Sequence, residues 1–442
     1  MNVLTFKRGI HPDDMKAGTD EMAIRTILPA TGNRMVFPMI QHIGAPCEPI
    51  VSVGERVLLG QKIGDAKPVM SAPIHSTVSG TVTEIGLKLT VGGTRVNSVV
   101  IENDGLLEEH ESIKPRTDYM YFSREEYISI IREAGIVGLG GAGFPTHVKL
   151  DPPSDKKIDF VIVNASECEP YLTTDHRVLL EESERIKIGL QIVLKLFPDA
   201  KGIIGIETNK MDAIHKMAEL CKDDPRISTV ALKPKYPQGS EKQLIVACTR
   251  REVPSGGLPA DIGVIVHNVD TIIAIHRALV RGRPLMRKVV TIDGGAVKNP
   301  GNYKVRLGMS YRELIDAVGG FKEEPYKIIS GGPMMGIAMY DLDVPIIKTG
   351  SAILCLTEKE ARLPQESNCI RCSKCVQHCP ANLMPLDLNQ YVLRGQLDLF
   401  EKYHGMDCIE CGSCSYICPA KRHLAQSIRA TRRSIMAGRK KS

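Results

Sequence analysis

The residues best spaced for chemistry are eight cysteines near the end of the chain. Cys369, Cys372, Cys375 and Cys379 follow the pattern Cys-x2-Cys-x2-Cys-x3-Cys and run into Pro380; Cys408, Cys411, Cys414 and Cys418 repeat it and run into Pro419. Two intervening residues let three thiolates of one loop converge on three corners of a cubane, while the fourth thiolate comes from the other run, as in two-cluster ferredoxins. The pattern therefore assigns one [4Fe-4S] cluster to Cys369, Cys372, Cys375 and Cys418, and another to Cys408, Cys411, Cys414 and Cys379. Clusters that exchange ligands lie close together, so the module is expected to conduct electrons. Cys-x2-Cys pairs also suit tetrahedral zinc, but three thiolates and a Cys-Pro in each of two runs favour iron. Cys47, Cys168, Cys221, Cys248 and Cys355 are scattered and read as small buried hydrophobes, although Cys168 lies in a loop with chemistry of its own.

That loop is Asn164-Ala165-Ser166-Glu167-Cys168-Glu169-Pro170, delivered by the apolar run Phe160-Val161-Ile162-Val163. It sets two carboxylates at the C-terminal end of an expected strand, where α/β sheets bind ligands; paired acids are equally common on solvated loops. Upstream, Gly138-Leu139-Gly140-Gly141-Ala142-Gly143-Phe144-Pro145 formally satisfies G-x-G-x-x-G. The segment before it reads as a helix and Pro145 follows at once, which is the wrong context for the ordinary dinucleotide fingerprint. So bare a run still lets backbone N–H groups approach a flat ring or a phosphate, and a mere tight turn is the alternative reading.

The elements that must hold these loops can be read from periodicity. Residues 46–102 give short β segments punctuated by glycine, similar to the barrel-sandwich hybrids of lipoyl and biotinyl carriers, but Lys67 is followed by Pro68 and lacks the carrier-lysine setting. Tyr127, Ile128, Ile130, Ile131 and Ala134 mark a helix that ends at Gly135. Strands at 160–163 and 202–206 alternate with helices near 185–196 and 210–221, the signature of an α/β domain. Residues 291–355 are β-rich with one helix at 311–318, and Leu386, Leu388, Tyr391, Val392, Leu393, Leu397, Phe400 and Tyr403 mark a helical linker between the cysteine runs. The expected architecture is an α/β multidomain chain: 1–120, a β-rich barrel-sandwich-hybrid-like domain; 121–290, a Rossmann-like domain; 291–358, a small β-grasp-like (SLBB) domain; 359–425, an α-helical ferredoxin domain; 426–442, a basic tail.

Composition bounds the rest. With 442 residues, 43% hydrophobic and 24% charged, the chain is ordinary globular material divided among several cores. Its apolar runs are too short to cross a bilayer, and its start lacks a secretory h-region. Thirteen cysteines in an unsecreted chain argue for metal ligation over disulfides. The net charge of +6 sits in the tail, where Lys421, Arg422, Arg429, Arg432, Arg433, Arg439, Lys440 and Lys441 meet no acid. Such a tail suits an acidic protein or an anionic membrane face rather than nucleic acid, or else a solvated, frayed end.

Together the loops resemble the NADH-binding flavin subunit of respiratory complex I and, more closely, the C subunit of Rnf complexes, over nearly the whole chain. The complex I protein surrounds FMN with a Gly-Gly-Ala-Gly-Phe-Pro loop, an Asn-Ala-x-Glu-x-Glu-Pro loop and an Asn-Asn-Val-Glu-Thr segment. Here these read Gly140 to Pro145, Asn164 to Pro170, and His267-Asn268-Val269-Asp270-Thr271. By that resemblance Gly138, Gly140, Gly141 and Gly143 form the FMN cradle, Lys149 and Asn164 contact the flavin, and Asn268 and Thr271 hold its phosphate. Phe144 stacks near the nicotinamide, and Glu167 and Glu169 bound the hydride-transfer pocket. Leu139, Ser166 and His267 replace an arginine, an aspartate and an asparagine of the complex I pattern. Gly9-Ile10-His11-Pro12, Gln41-His42-Ile43-Gly44-Ala45-Pro46 and the stretch from Lys235 to Leu244 look like the Rnf protein in particular, with His11 and His42 read as structural.

The resemblance implies a peripheral protein on the cytoplasmic face of the cell membrane, in complex with other Rnf-type subunits that include a ferredoxin-like one, and through them with ferredoxin. Its expected chemistry is hydride transfer between NADH/NAD and FMN, with single electrons passing through two [4Fe-4S] clusters; flow from ferredoxin to NAD is equally permitted. A cobalamin reductase with similar flavin and cluster modules is the rival enzyme, disfavoured by the extra region ahead of Ser123. A scaffold with clusters and no flavin is the rival from another class.

Overall fold

A computed structural model describes residues 2–439. At its centre is a five-stranded, all-parallel sheet. Phe160–Ala165 lies beside Lys201–Glu207 on one side and Val264–Asn268 on the other, with Ile227–Leu232 beyond Lys201–Glu207. The strands of this domain thus run third, second, first, fourth across the sheet, and the chain reverses direction of travel between Phe160–Ala165 and Val264–Asn268. In doubly wound sheets that switch point opens the ligand crevice at the strands' C-terminal ends. Asn164 and Asn268 are register partners there. Val161, Ile162 and Val163 are fully buried, as the unbroken apolar run requires of a strand covered on both faces.

The helices have identifiable ends. Ser123 and Glu126 form a capping box before Arg124–Glu133, and Gly135 terminates that turn at φ +64°. Asn268 caps Val269–Arg281, its side chain accepting from the Asp270 N–H, and Gly282 closes the helix at φ 62°. Beyond this domain, two small sheets of the N-terminal β unit (Arg34–Pro38, Arg95–Asn103, Gly80–Leu89, Arg56–Val57; and Glu48–Pro49, Lys62–Asp65, Ile74–His75) pack into one hydrophobic core that continues into residues 290–355. A six-stranded sheet with one helix, Tyr311–Ala317, forms the β-grasp-like unit.

Two short N-terminal strands are shared out. Val3–Leu4 pairs with Ile227–Leu232 at the edge of the parallel sheet, and Arg25–Thr26 pairs with Gly301–Arg306 of the six-stranded one. The first residues of the chain therefore tie three units together. Lys348, buried, adds another tie by donating to the carbonyls of Pro73 and Gly135, both at 2.7 Å.

In the cysteine module the expected linker is two helices, Pro385–Leu393 and Leu397–Lys402, separated by Gly395 at φ +68°. The stretch expected as a basic tail is, up to Arg439, the helix Leu424–Arg439. It buries Leu424 and Ile428 against the module, and Arg429 and Arg432 pair with Glu410. Lys440 and Lys441 lie outside the described residues.

Candidate functional site

The glycine loop crosses the switch point and is pinned from every side. The Gly138 N–H donates to the Phe144 carbonyl at 2.8 Å. The Leu139 N–H donates to the Thr271 hydroxyl at 3.0 Å, and Lys288 Nζ donates to the Leu139 carbonyl at 2.7 Å. The Ile43 N–H of the N-terminal unit donates to the Gly143 carbonyl at 3.2 Å. Gly143 needs its glycine, because its φ is +71° and a Cβ would stand 2.9 Å from Thr349 Cγ2. A Cβ at Gly140 would come within 2.8 Å of Asn268 Cβ, whereas one at Gly141 would meet nothing within 4 Å. Gly140 thus seats the loop on the capped helix start, and Gly141 leaves a bare face open beside it. Phe144 is half-buried.

Around the crevice, Lys149 Nζ lies 2.7 Å from Glu241 Oε1 and donates to the Val266 carbonyl at 3.0 Å. Asn164 Nδ2 donates to the Gly239 carbonyl at 2.7 Å. Asn268 Nδ2 donates to Asp175 Oδ2 at 2.9 Å. Two buried polar atoms here, Ser166 Oγ and His267 Nε2, have no partner. Burial, and then the charge of Lys149, hold the His267 imidazole far below its ordinary range and neutral. Thr271 is fully buried, so it acts through the Leu139 N–H. An open glycine face, a lysine and the N-terminus of a 13-residue helix suit a flat, phosphate-bearing cofactor such as FMN, and two orphaned polar atoms leave capacity for it.

The acidic loop is held as firmly as the glycine loop. Glu167, at φ +49°, turns its carboxylate onto the start of Thr174–Glu181, accepting from the Asp175 N–H at 2.7 Å, the His176 N–H at 3.2 Å and the Thr174 hydroxyl at 3.1 Å. Glu169 accepts from the Met334 and Met335 N–H groups, both at 3.0 Å, in the β-grasp-like unit, and burial raises its carboxyl to about 7. Both acids therefore serve as acceptors for main chain. Two buried lysines hold the loop's carbonyls from beneath: Lys16 reaches Glu167, Glu169 and Leu172, and Lys210 reaches Ser166 at 2.8 Å. Neither lysine is visible in the sequence as part of this site, since each arrives from a distant segment without a motif.

The eight module cysteines separate into two groups. Cys369, Cys372, Cys375 and Cys418 line one cavity of about 310 Å³. Cys379, Cys408, Cys411 and Cys414 are electrostatic neighbours of one another. Four thiols lining a space, as at Cys369, Cys372, Cys375 and Cys418, are the donor set that a four-iron cluster takes. Burial pushes the Cys408 thiol up to about 11, so only a strong positive charge would hold it as thiolate.

The groups differ in surroundings. Cys369 and Cys372 are exposed. Cys411 instead joins Ile10 and Tyr236 in a buried contact that Cys168 and Met334 flank. The Tyr236 hydroxyl donates to the Cys411 carbonyl at 2.7 Å, and Gln243 Nε2 donates to the Pro380 carbonyl at 3.1 Å. From the crevice, Asn164 meets Gly239, whose N–H donates to Cys168 Sγ at 3.2 Å. Covalent and hydrogen-bonded contacts thus run from the strand end at Asn164 to Cys411.

A doubly wound sheet with a glycine loop at its switch point, joined to two ferredoxin-type cysteine runs, defines a flavin and iron–sulfur electron-transfer protein. Its parts match known families: residues 131–277 the Nuo51 FMN-binding domain, 4–106 the RnfC barrel sandwich hybrid domain, 289–338 the SLBB domain and 368–423 a 4Fe-4S dicluster domain. The chain is 47% identical over 437 residues to the C subunit of the Na(+)-translocating ferredoxin:NAD(+) oxidoreductase complex of Acetobacterium woodii, covering 99% of this chain and 98% of that one. It is 48% identical over 429 residues to the proton-translocating counterpart of Clostridium ljungdahlii, covering 96% and 93%. The chain belongs to this family, the C subunits of ion-translocating ferredoxin:NAD(+) oxidoreductase complexes. The fold is also similar to an NAD+-reducing [NiFe]-hydrogenase in its H2-reduced and air-oxidised crystal structures, with a TM-score of 0.51 and 17% identity for each, over 71% of this chain and 64% and 61% of theirs.

Proposed function

We propose that this chain exchanges electrons with NAD(H) for a membrane-associated, ion-translocating ferredoxin:NAD(+) oxidoreductase and passes them singly through two [4Fe-4S] clusters to other subunits. FMN, when bound in the crevice, would supply the conversion between a hydride pair and single electrons. The chain's own residues do the positioning. Gly140 seats the loop on the Asn268-capped helix start, which would hold the phosphate, Gly141 leaves the approach to the ring free of side chains, and Lys149 and Asn164 would line it. Thr271 and Lys288 fix the loop by its Leu139 peptide. Glu167 and Glu169 set the shape of the pocket wall through main chain, and Phe144 borders the nicotinamide side.

The contact of Tyr236 with Cys411 carries this reading, because it supports taking the set Cys379, Cys408, Cys411 and Cys414 as the inner cluster, on the side of the flavin crevice. The set Cys369, Cys372, Cys375 and Cys418, of which Cys369 and Cys372 are exposed, is then the outer cluster, facing the ferredoxin-like subunit. No helix among the described residues is long and apolar enough to cross a membrane, and we assign ion movement to partner subunits and a peripheral, cytoplasmic position to this one. The basic C-terminal stretch is the part of this chain that would meet an acidic partner or an anionic membrane.

Electron paramagnetic resonance of NADH-reduced, anaerobically prepared variants tests the order. In Cys372→Ser the inner cluster should still be reduced, whereas in Cys411→Ser the flavin should bleach while the outer cluster stays oxidised. Full NADH reduction of the outer cluster in Cys411→Ser contradicts the order.

A further inference from the structure

Beside the helix Val269–Arg281, a cavity of about 140 Å³ opens between that helix, the strand pair of the β-grasp-like unit and the N-terminal strand Arg25–Thr26. Its walls include Ile27, Leu28, Ile273 and Leu285, yet five cationic side chains also line it: Arg277, Arg283, Arg287, Lys304 and Arg306. Three carboxylates answer them. Glu182 takes Arg277 at 2.8 Å and Arg287 at 2.9 Å, with Lys304 at 3.6 Å; Glu109 takes Arg283; and Asp270 lies on the cavity wall. Five cations against three acids leave an excess of two, and Arg185 on Glu182 and Lys288 on Asp270 only enlarge it.

The excess is visible in individual groups. Arg277 Nε is buried without an acceptor, and the charge of Glu109, which already pairs with Arg283, only partly offsets the repulsion on Arg306. Burial, and then the guanidiniums of Arg283 and Arg287, push Arg306 below its ordinary range; burial, and then Arg287, do the same to Lys304. Like charges held together in a half-buried cavity attract an anion from solution. A water needs only about 10–15 Å³ of such space, so a tetrahedral oxyanion is admitted. Arginine forks match its oxygens bidentately.

We infer that this cavity is a binding site for a phosphate dianion, separate from the flavin crevice and bridging the nucleotide-binding sheet to the β-grasp-like unit. Free orthophosphate and the terminal phosphate of a nucleotide share that chemistry. The inference does not depend on the proposed electron path, because none of the glycine-loop residues lines the cavity.

The test is calorimetric titration and thermal unfolding of the full chain, saturated with FMN, with sodium phosphate or ADP against sodium chloride at equal ionic strength. Phosphate should bind and raise the unfolding midpoint, and Arg306→Gln should weaken that binding about tenfold or more. Without phosphate, Arg306→Gln should unfold at or above the wild-type temperature, since it relieves repulsion. A larger Arg306-dependent effect from ADP identifies a nucleotide-borne phosphate, and an equal or smaller one identifies the free ion. Should Arg306→Gln not fold, Arg283→Gln serves in its place. Phosphate that acts no differently from chloride, or that binds wild type and variant equally, overturns the site.

Discussion

The carboxylates around the crevice divide by what they accept. Glu167 caps a helix, Glu169 binds two main-chain N–H groups of the neighbouring unit, and Asp175 takes the Asn268 amide. Asp175 carries the clearest pH consequence. Burial, and then the charge of Glu167, raise it from 3.8 to about 7. The folded chain therefore keeps a proton that the unfolded chain releases between about pH 4 and 7. Stability must fall as pH rises through that window, and the penalty is complete above it. Asp175→Asn removes the titration while its amide oxygen can still accept from Asn268. Denaturant unfolding should show the variant gaining on wild type by up to about 4 kcal/mol between pH 4 and pH 8; an unchanged difference removes Asp175 from the account. The sequence presents Glu167 and Glu169 conspicuously but gives no sign of Asp175, Lys16 or Lys210, because their roles depend on burial and on partners far along the chain.

At the scale of elements, the loop and the helix it rests on act as one piece. Gly140→Ala would force a Cβ against Asn268, whose own Cβ is part of the helix cap and cannot move without the helix start. FMN affinity and the unfolding midpoint should both fall, the latter by about 1–3 kcal/mol of stability. Gly141→Ala meets open space, so it should leave the midpoint unchanged while covering the bare face and weakening FMN binding. Fluorescence titration with FMN and a thermal scan distinguish the two. A Gly141→Ala protein that binds FMN as wild type does would mean that the ring lies elsewhere. Much of this level is legible in the sequence: the apolar run 160–163, the capped helix after Ser123 and the helix at 311–317 fall where periodicity puts them. The strands Val3–Leu4 and Arg25–Thr26 do not, since two residues carry no period and the sheets they join are specified elsewhere. Gly395 likewise splits a linker that hydrophobic spacing alone presents as continuous.

For the whole molecule, what matters is which module touches which. The two cysteine runs announce themselves, because ligand spacing is local. That Cys411 faces Tyr236 while Cys369 and Cys372 face outward is not legible, because it depends on how a helical module docks on an α/β domain far upstream of it. The structure brings the N-terminal segment, the acidic loop and the cysteine module to one buried junction at Ile10, Tyr236 and Cys411. On the proposed reading the flavin crevice and the cysteines conduct together, and reduction at one end should be felt at the other. Anaerobic protein with counted iron, sulfide and FMN, titrated with NADH under optical and paramagnetic detection, examines this directly. Flavin absorbance should bleach and signals from two reduced cubanes should grow in as NADH is added. Protein that holds its full iron and flavin yet gives no cluster signal on NADH addition would contradict it.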